Sequence, residues 1–329
     1  MKKILSLILL TAVLTVGCGT AAPVSRSFES MDTFMTLTLY GGEGTAESIQ
    51  AEIERLDTLL DADGSGDIAH VNRDGSAEVC DDTAALTEQS LAYCADTGGA
   101  LDITVRPLVE EWGFISRDYR VPERETIASL LEKVDHRAVT VSGDKERIIS
   151  VPEDVKLDLG ATAKGYAADR AVGLMKADGV TSGILNLGGT IAAVGKKPDG
   201  SDWRVGVTDP DSTASYFGTV ACHDKFIATS GNYERYFERD GRRYCHIIDP
   251  KTGYPADNGV VSVTVISDSG VMSDTLSTAL FVMGREKAEE YRQAHGGFEY
   301  IILDSSGSVW LSDGVRDSFE LKKDSLRVE

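Results

Sequence analysis

The stretch SDTLSTALFVMG, residues 273–284, sets a carboxylate and a hydroxyl four residues apart, Asp274 and Thr278, near the start of an apolar helical run. Positions four apart share one helix face, so the two oxygens can converge. With a main-chain carbonyl from elsewhere they would form the hard oxygen set that Mg²⁺ prefers. The same residues also suit plain helix capping, with Ser273 or Asp274 as the cap. A second group is KLDLGATAKGYAADRA, 156–171. An expected strand carrying Asp158 enters the small-residue turn Gly160–Ala163, and Lys164-Gly165 opens a helix. Free amides at a helix start beside a lysine suit a phosphate. The GxxxxGK[ST] spacing of a P-loop is absent.

Two further stretches complete the set. GGALDITVRPLVEEWGF, 98–114, pairs a Gly-Gly turn with Asp102 and Thr104, which alternate as they would on one face of a strand. Trp112 there is either a flat surface for a ligand ring or a core residue. YCHIIDPKTGYP, 244–255, places His246, one of five histidines, just before a turn fixed by Pro250 and Pro255. An imidazole titrates near neutral pH and can serve as a base, or it can simply brace the turn.

The elements that must position these groups follow from pattern. SFESMDTFMTLTLYG (27–41) alternates and predicts a strand. TAESIQAEIERLDTLLDAD has apolar residues at helical spacing with Thr45 as cap. DGSGDIAHVNRDGS is turn-rich, and CDDTAALTEQSLAYCADTGG predicts a second capped helix ending in a Gly-Gly loop. NLGGTIAAVG puts another Gly-Gly at a strand end. DWRVGVTDP, KFIATSG, RYCHIID and VVSVTVIS are short expected strands, and FEYIILDSSGSVWLSDG an expected hairpin. Strands follow strands without strict βαβ alternation. This predicts an α+β fold with mixed or mostly antiparallel sheets, flanking helices and a single catalytic unit.

The chain has 329 residues, 42% of them apolar, and a formal net charge of −20. That composition supports a packed core. The acidity argues against nucleic acid, which requires clustered Lys and Arg. At the N-terminus, MKK precedes the apolar run ILSLILLTAVLTVG and then Cys18. The run is short for a bilayer span and reads as a lipoprotein signal peptide, residues 1–17, with lipidation at Cys18. Residues 18–27 are an expected tether and 28–329 the catalytic domain. Localisation is therefore expected to be exported and membrane-anchored. Cys80, Cys94, Cys222 and Cys245 form no CxxC pair, so zinc is not expected; export leaves both free thiols and disulfides open.

Taken together and in order, MDTFM, GGALDITVRPLVEEWGF, LDLGATAKGYAAD, LNLGGTIAAVG, IATSGNYERYF, HIIDPKTGYP and SDTLSTALFVMG resemble the ApbE family, the FAD:protein FMN transferases. The resemblance runs from about residue 28 to 312. It implies transfer of FMN from FAD to a Thr or Ser hydroxyl of an exported acceptor protein, with release of AMP. It further implies that Met31, Ala100, Leu101, Asp102, Asp158, Lys164 and Ile248 line the FAD site. Mg²⁺ would be held by the Ala161 carbonyl with Asp274 and Thr278. His246 and Lys164 are the implied catalytic pair. Relatives often carry an aromatic residue where this chain reads LLDADGSGDIAHVN, so a ring-stacking partner is either missing or supplied elsewhere. Two alternatives stand beside transfer: Mg²⁺-dependent hydrolysis of FAD to FMN and AMP, and flavin binding without turnover.

Overall fold

The computed structural model describes residues 22–329; the signal segment and Cys18 lie outside them. Met31 and Asp32 both have positive φ (49° and 57°), the twist that suits a tight hairpin. The stretch expected as one strand is therefore two, β1 (Val24–Ser30) and β2 (Thr33–Leu39), paired antiparallel. β1 begins at Val24, so the last four residues of the expected tether belong to the domain.

Next comes α1 (Glu43–Leu60), which starts after Gly42; the Thr45 hydroxyl does not cap it but donates to Asp178 (2.7 Å). α2 (Asp67–Asp74) rises from the segment expected as turns. β3 (Ser76–Val79), α3 (Asp81–Asp96), α4 (Arg106–Glu111) and α5 (Arg124–Leu131) follow. A 3-10 turn at His136–Ala138 leads to β4 (Thr140–Ser142) and β5 (Arg147–Ser150). Then come α6 (Ala163–Ala177), β6 (Gly183–Leu187), β7 (Thr190–Val194), β8 (Trp203–Asp209), β9 (Ser212–Cys222) and β10 (Lys225–Gly231). The remainder is β11 (Tyr236–Arg239), β12 (Arg242–Cys245), β13 (Val260–Ser267), α7 (Gly270–Met283), α8 (Arg285–His295), β14 (Phe298–Asp304), β15 (Ser308–Leu311), β16 (Phe319–Leu321) and β17 (Arg327–Val328).

The main sheet has nine strands in the order β1-β2-β6-β7-β10-β13-β14-β15-β17, antiparallel throughout except the β15–β17 edge. One face buries Met35, Leu37, Leu185 and Ala192 against α1 and α6. Along the same face α7 packs on β10 and β13. The other face packs Ile227, Ile266 and Ile301 against Trp203, Val205 and Phe217 of the three-stranded sheet β16-β9-β8. The result is three layers, helix on sheet on sheet, which is the expected α+β class. Residues 155–159 and 102–104, expected on strands, lie outside the strands. The four cysteines among the described residues are free thiols, raised by burial to about 12 in Cys94 and about 11 in Cys222 and Cys245. No helix among the described residues is long and apolar enough to cross a membrane.

Candidate active site

α6 and α7 cross at glycine. A Cβ on Gly165 would lie 2.3 Å from the Gly270 carbonyl oxygen, and one on Gly270 2.2 Å from that of Gly165. With no side chain at either position, the two helix starts come together. The Gly165 amide donates to Asp274 Oδ2 (2.9 Å), and the Thr190 hydroxyl from β7 donates to Oδ1 (3.1 Å). Lys164 Nζ lies 3.9 Å from Oδ1. Asp274 is one turn inside α7, not its cap: the Ser269 hydroxyl caps the helix, and Asp169 of α6 accepts from the Gly270 and Val271 amides (2.7 and 3.0 Å). Thr278 shares the Asp274 face, and its hydroxyl lies 3.1 Å from that of Ser230 at the end of β10.

These contacts bring the second and third sequence groups, and the NLGG turn, to one place. They also suit a cation. Asp274 is 6% exposed, and each carboxylate oxygen retains a lone pair beyond its protein hydrogen bond. Gly165 is the natural helical donor for the Ala161 carbonyl four residues back. Its N–H is turned to Asp274 instead, which leaves that carbonyl without its helical partner. Ala161, Asp274 and Thr278 thus carry the oxygen donors that would hold a hard divalent cation such as Mg²⁺ here.

The other two groups meet beside this crossing. The Trp112 indole donates to the Gly253 carbonyl (2.8 Å), tying 98–114 to the HIIDPKTGYP turn. Trp112 has no exposed surface, so it is a core residue and not a platform for a ring. Ile248 is 5% exposed and packs with it, so only its main chain can meet a ligand. The Gly98-Gly99 turn has left-handed φ (59° and 76°), with Lys251 beside it. Ala100 and Leu101 follow, held by the Thr97 carbonyl and hydroxyl (3.2 and 3.3 Å). Asp102 and Thr104 form a turn and not a strand: Asp102 Oδ1 accepts from the Thr104 amide and hydroxyl (2.9 and 2.6 Å). The Asp158 amide donates to the Ile103 carbonyl (2.8 Å), and its side chain accepts from the Gly160 amide (2.8 Å). Met31 tops the β1–β2 turn, its amide bonded to Asp57 (2.8 Å).

His246 follows β12 and does not lie on it. Its amide donates to the Arg235 carbonyl (3.0 Å), with Nδ1 3.3 Å from the same oxygen. A carbonyl only accepts, so Nδ1 carries the hydrogen and Nε2 the lone pair. Protein surrounds the ring closely although part of its edge stays open. Burial first, then the Arg235 charge, pushes it down to about 4, so it is neutral at pH 7.

Glu234, which the sequence reading missed, neighbours this backbone contact. One flank is open to solvent, but surrounding protein pushes its carboxyl up to about 7, with Asp274 adding to the rise and Lys164 opposing it. The loop at 59–72, noted in the sequence for its missing aromatic residue, brings Asp63 to an ion-pair node. Arg106 of α4 meets Asp63 (2.5 Å), Glu110 (2.9 Å) and Asp158 (3.5 Å). A hollow of about 500 Å³ on the outer sheet, lined by Arg204, Tyr216, Glu320 and Lys322, lies on the opposite layer; its acid is already bonded to both bases.

The ApbE family profile matches residues 31–302. Among curated relatives, the FAD:protein FMN transferase of Treponema pallidum (strain Nichols) is 32% identical over 331 residues, covering 92% of this chain and 91% of its own. That of Escherichia coli (strain K12) is 32% identical over 277 residues, covering 81% and 79%. The crystal structure of the ApbE protein of Thermotoga maritima superposes with a TM-score of 0.82 at 31% identity, covering 89% of this chain and 97% of that one. Family profile, relatives and three-layer architecture agree across nearly all the described residues, and the chain belongs to the ApbE family.

Proposed function

We propose that this protein transfers FMN from FAD to a Thr or Ser hydroxyl of an exported acceptor protein, releasing AMP, with Mg²⁺ held by the Ala161 carbonyl, Asp274 and Thr278. The observation that carries the reading is the α6–α7 crossing, which sets a lysine and a main-chain amide against a buried carboxylate. The diphosphate of FAD would lie over the start of α6, where helix amides and Lys164 favour negative charge. The main chain of 98–102 and 248, with Met31 and Asp158, would hold the remainder of FAD. The acceptor hydroxyl oxygen attacks the FMN phosphorus. A phosphoester bond forms, the bridging P–O bond breaks, and AMP leaves with the bridging oxygen. Neutral His246 takes the hydroxyl proton on Nε2, a role worth about 10²–10⁴-fold in rate. The Ala161 carbonyl, Asp274 and Thr278 would hold a divalent cation, which when bound would neutralise charge that builds on the diphosphate.

The test mixes purified protein, FAD, Mg²⁺ and an acceptor domain bearing a target Thr, followed by a denaturing gel under ultraviolet light and an AMP assay. A fluorescent acceptor band with AMP supports transfer. AMP without a band means hydrolysis, and bound FAD with neither product means a binding role. We also infer lipidation at Cys18 and anchoring at the membrane, supported by the sequence before it; loss of acyl labelling in Cys18→Ala is the expected result.

A further inference from the structure

We propose that His136 is a positioning residue that acts through Asp102 to hold residues 98–105 in the shape that receives FAD. The inference rests on the reading of that loop as part of the FAD site. Asp102 is 6% exposed, and its carboxylate accepts four hydrogen bonds. Oδ1 takes the Thr104 amide and hydroxyl (2.9 and 2.6 Å); Oδ2 takes the His136 amide and Nδ1 (3.1 and 2.8 Å). A carboxylate has about four acceptor positions, so none is left for a ligand. Asp102 therefore shapes the loop, and the loop meets FAD through its main chain.

Because the carboxylate only accepts, Nδ1 of His136 carries the hydrogen. Among the described residues, the imidazole is the one side chain from outside the loop that bonds this carboxylate, and it comes from the 3-10 turn at His136–Ala138, 34 residues away in sequence. Cys94 lies within 4.8 Å of both groups, and the trio has the residue types of a metal centre. Burial and the Asp102 charge keep that thiol protonated, and the carboxylate has no free position, so the arrangement is a hydrogen-bonded dyad beside a thiol.

Without the ring, the loop spends less time in the receptive shape. The apparent dissociation constant rises in proportion to the lost population. If that population falls to about a tenth, Kd and KM for FAD rise about tenfold, while kcat at saturating FAD stays within about twofold. An Asn side chain can present an N–H near the Nδ1 position. Hydrogen exchange across 98–105 and FAD binding by fluorescence quenching are measured on the full domain for wild type, His136→Ala and His136→Asn. Faster loop exchange and weaker FAD binding in His136→Ala, both restored in His136→Asn, are expected. Unchanged exchange and affinity in His136→Ala overturn the inference, as does stoichiometric metal found at this trio. If His136→Ala does not fold, His136→Phe, which fills the space without a donor, takes its place in the comparison. If wild type itself fails to bind FAD, the functional reading falls, while the exchange comparison still decides whether His136 orders the loop.

Discussion

Gly165→Ala probes the crossing that builds the site. The new methyl would sit 2.3 Å from the Gly270 carbonyl oxygen, 2.6 Å from its carbon and 2.8 Å from Asp274 Cβ. The first contact is about 1 Å inside ordinary van der Waals separation. Two of the three neighbours are backbone atoms, so no rotamer relieves the clash and the helices must part. Overpacking of this kind costs about 2–3 kcal/mol. Alanine returns up to about 1 kcal/mol through helix propensity. The net loss of about 1–2 kcal/mol lowers Tm by about 2–8 °C for a domain of this size. Function should suffer more. A parting of about 1 Å stretches the Gly165–Asp274 bond beyond hydrogen-bonding range, and a misplacement of about that size can cost about 10²-fold in rate. Calorimetry gives the Tm, and AMP release gives kcat. A variant that melts within about 1 °C of wild type and turns over normally would refute the account of the crossing.

Three further perturbations test the remaining groups. Asp274→Ala should abolish Mg²⁺-dependent AMP release and weaken Mg²⁺ binding in calorimetric titration; unchanged binding removes the site. His246→Ala should slow transfer by about 10²–10⁴-fold with FAD affinity kept. In wild type the acid limb of kcat/KM should fall near pH 4, since the free ring gains its proton only there, and a limb near 6.5 would contradict the buried, neutral imidazole. The kcat limb should lie higher, because a bound diphosphate favours the charged ring. Glu234 loses its proton around pH 7, so Mg²⁺ affinity should climb between about pH 6 and 8 as a negative charge appears near Asp274. Glu234→Gln should flatten that climb, as measured by titration at several pH values.

The helices at Lys164-Gly165 and through Asp274 were legible because glycine, small residues and an apolar period mark them locally, although the second begins at Gly270, a turn before the expected Ser273 or Asp274 cap. That Asp274 and Thr278 share one helix face was legible for the same reason: both sit on one element. What failed was context. Asp102 and Thr104 alternate like strand residues, yet an aspartate can bond the backbone two residues on and form a turn. α2 was hidden by Gly and Asp at both its ends, although Asn72 inside it fixes Leu157 through two main-chain bonds (2.6 and 2.9 Å). Thr45 is a preferred cap type, but Asp178, 133 residues away, claims its hydroxyl. Glu234, Asp169 and His136 act only through partners distant in sequence, and no local spacing announces them.

Asp169 has a consequence for how charge is divided across the crossing. A helix start carries partial positive charge and should repel a divalent cation placed one turn inside it. The Asp169 carboxylate lies on the first two amides of α7 and cancels that field from within the protein. α7 would thereby accept the proposed cation more readily, while α6, whose lysine faces the same point, stays attractive to an anion. Two adjacent helix starts of like polarity thus present unlike charge, and a substrate that bridges phosphate and metal, as proposed above, would be oriented by that difference.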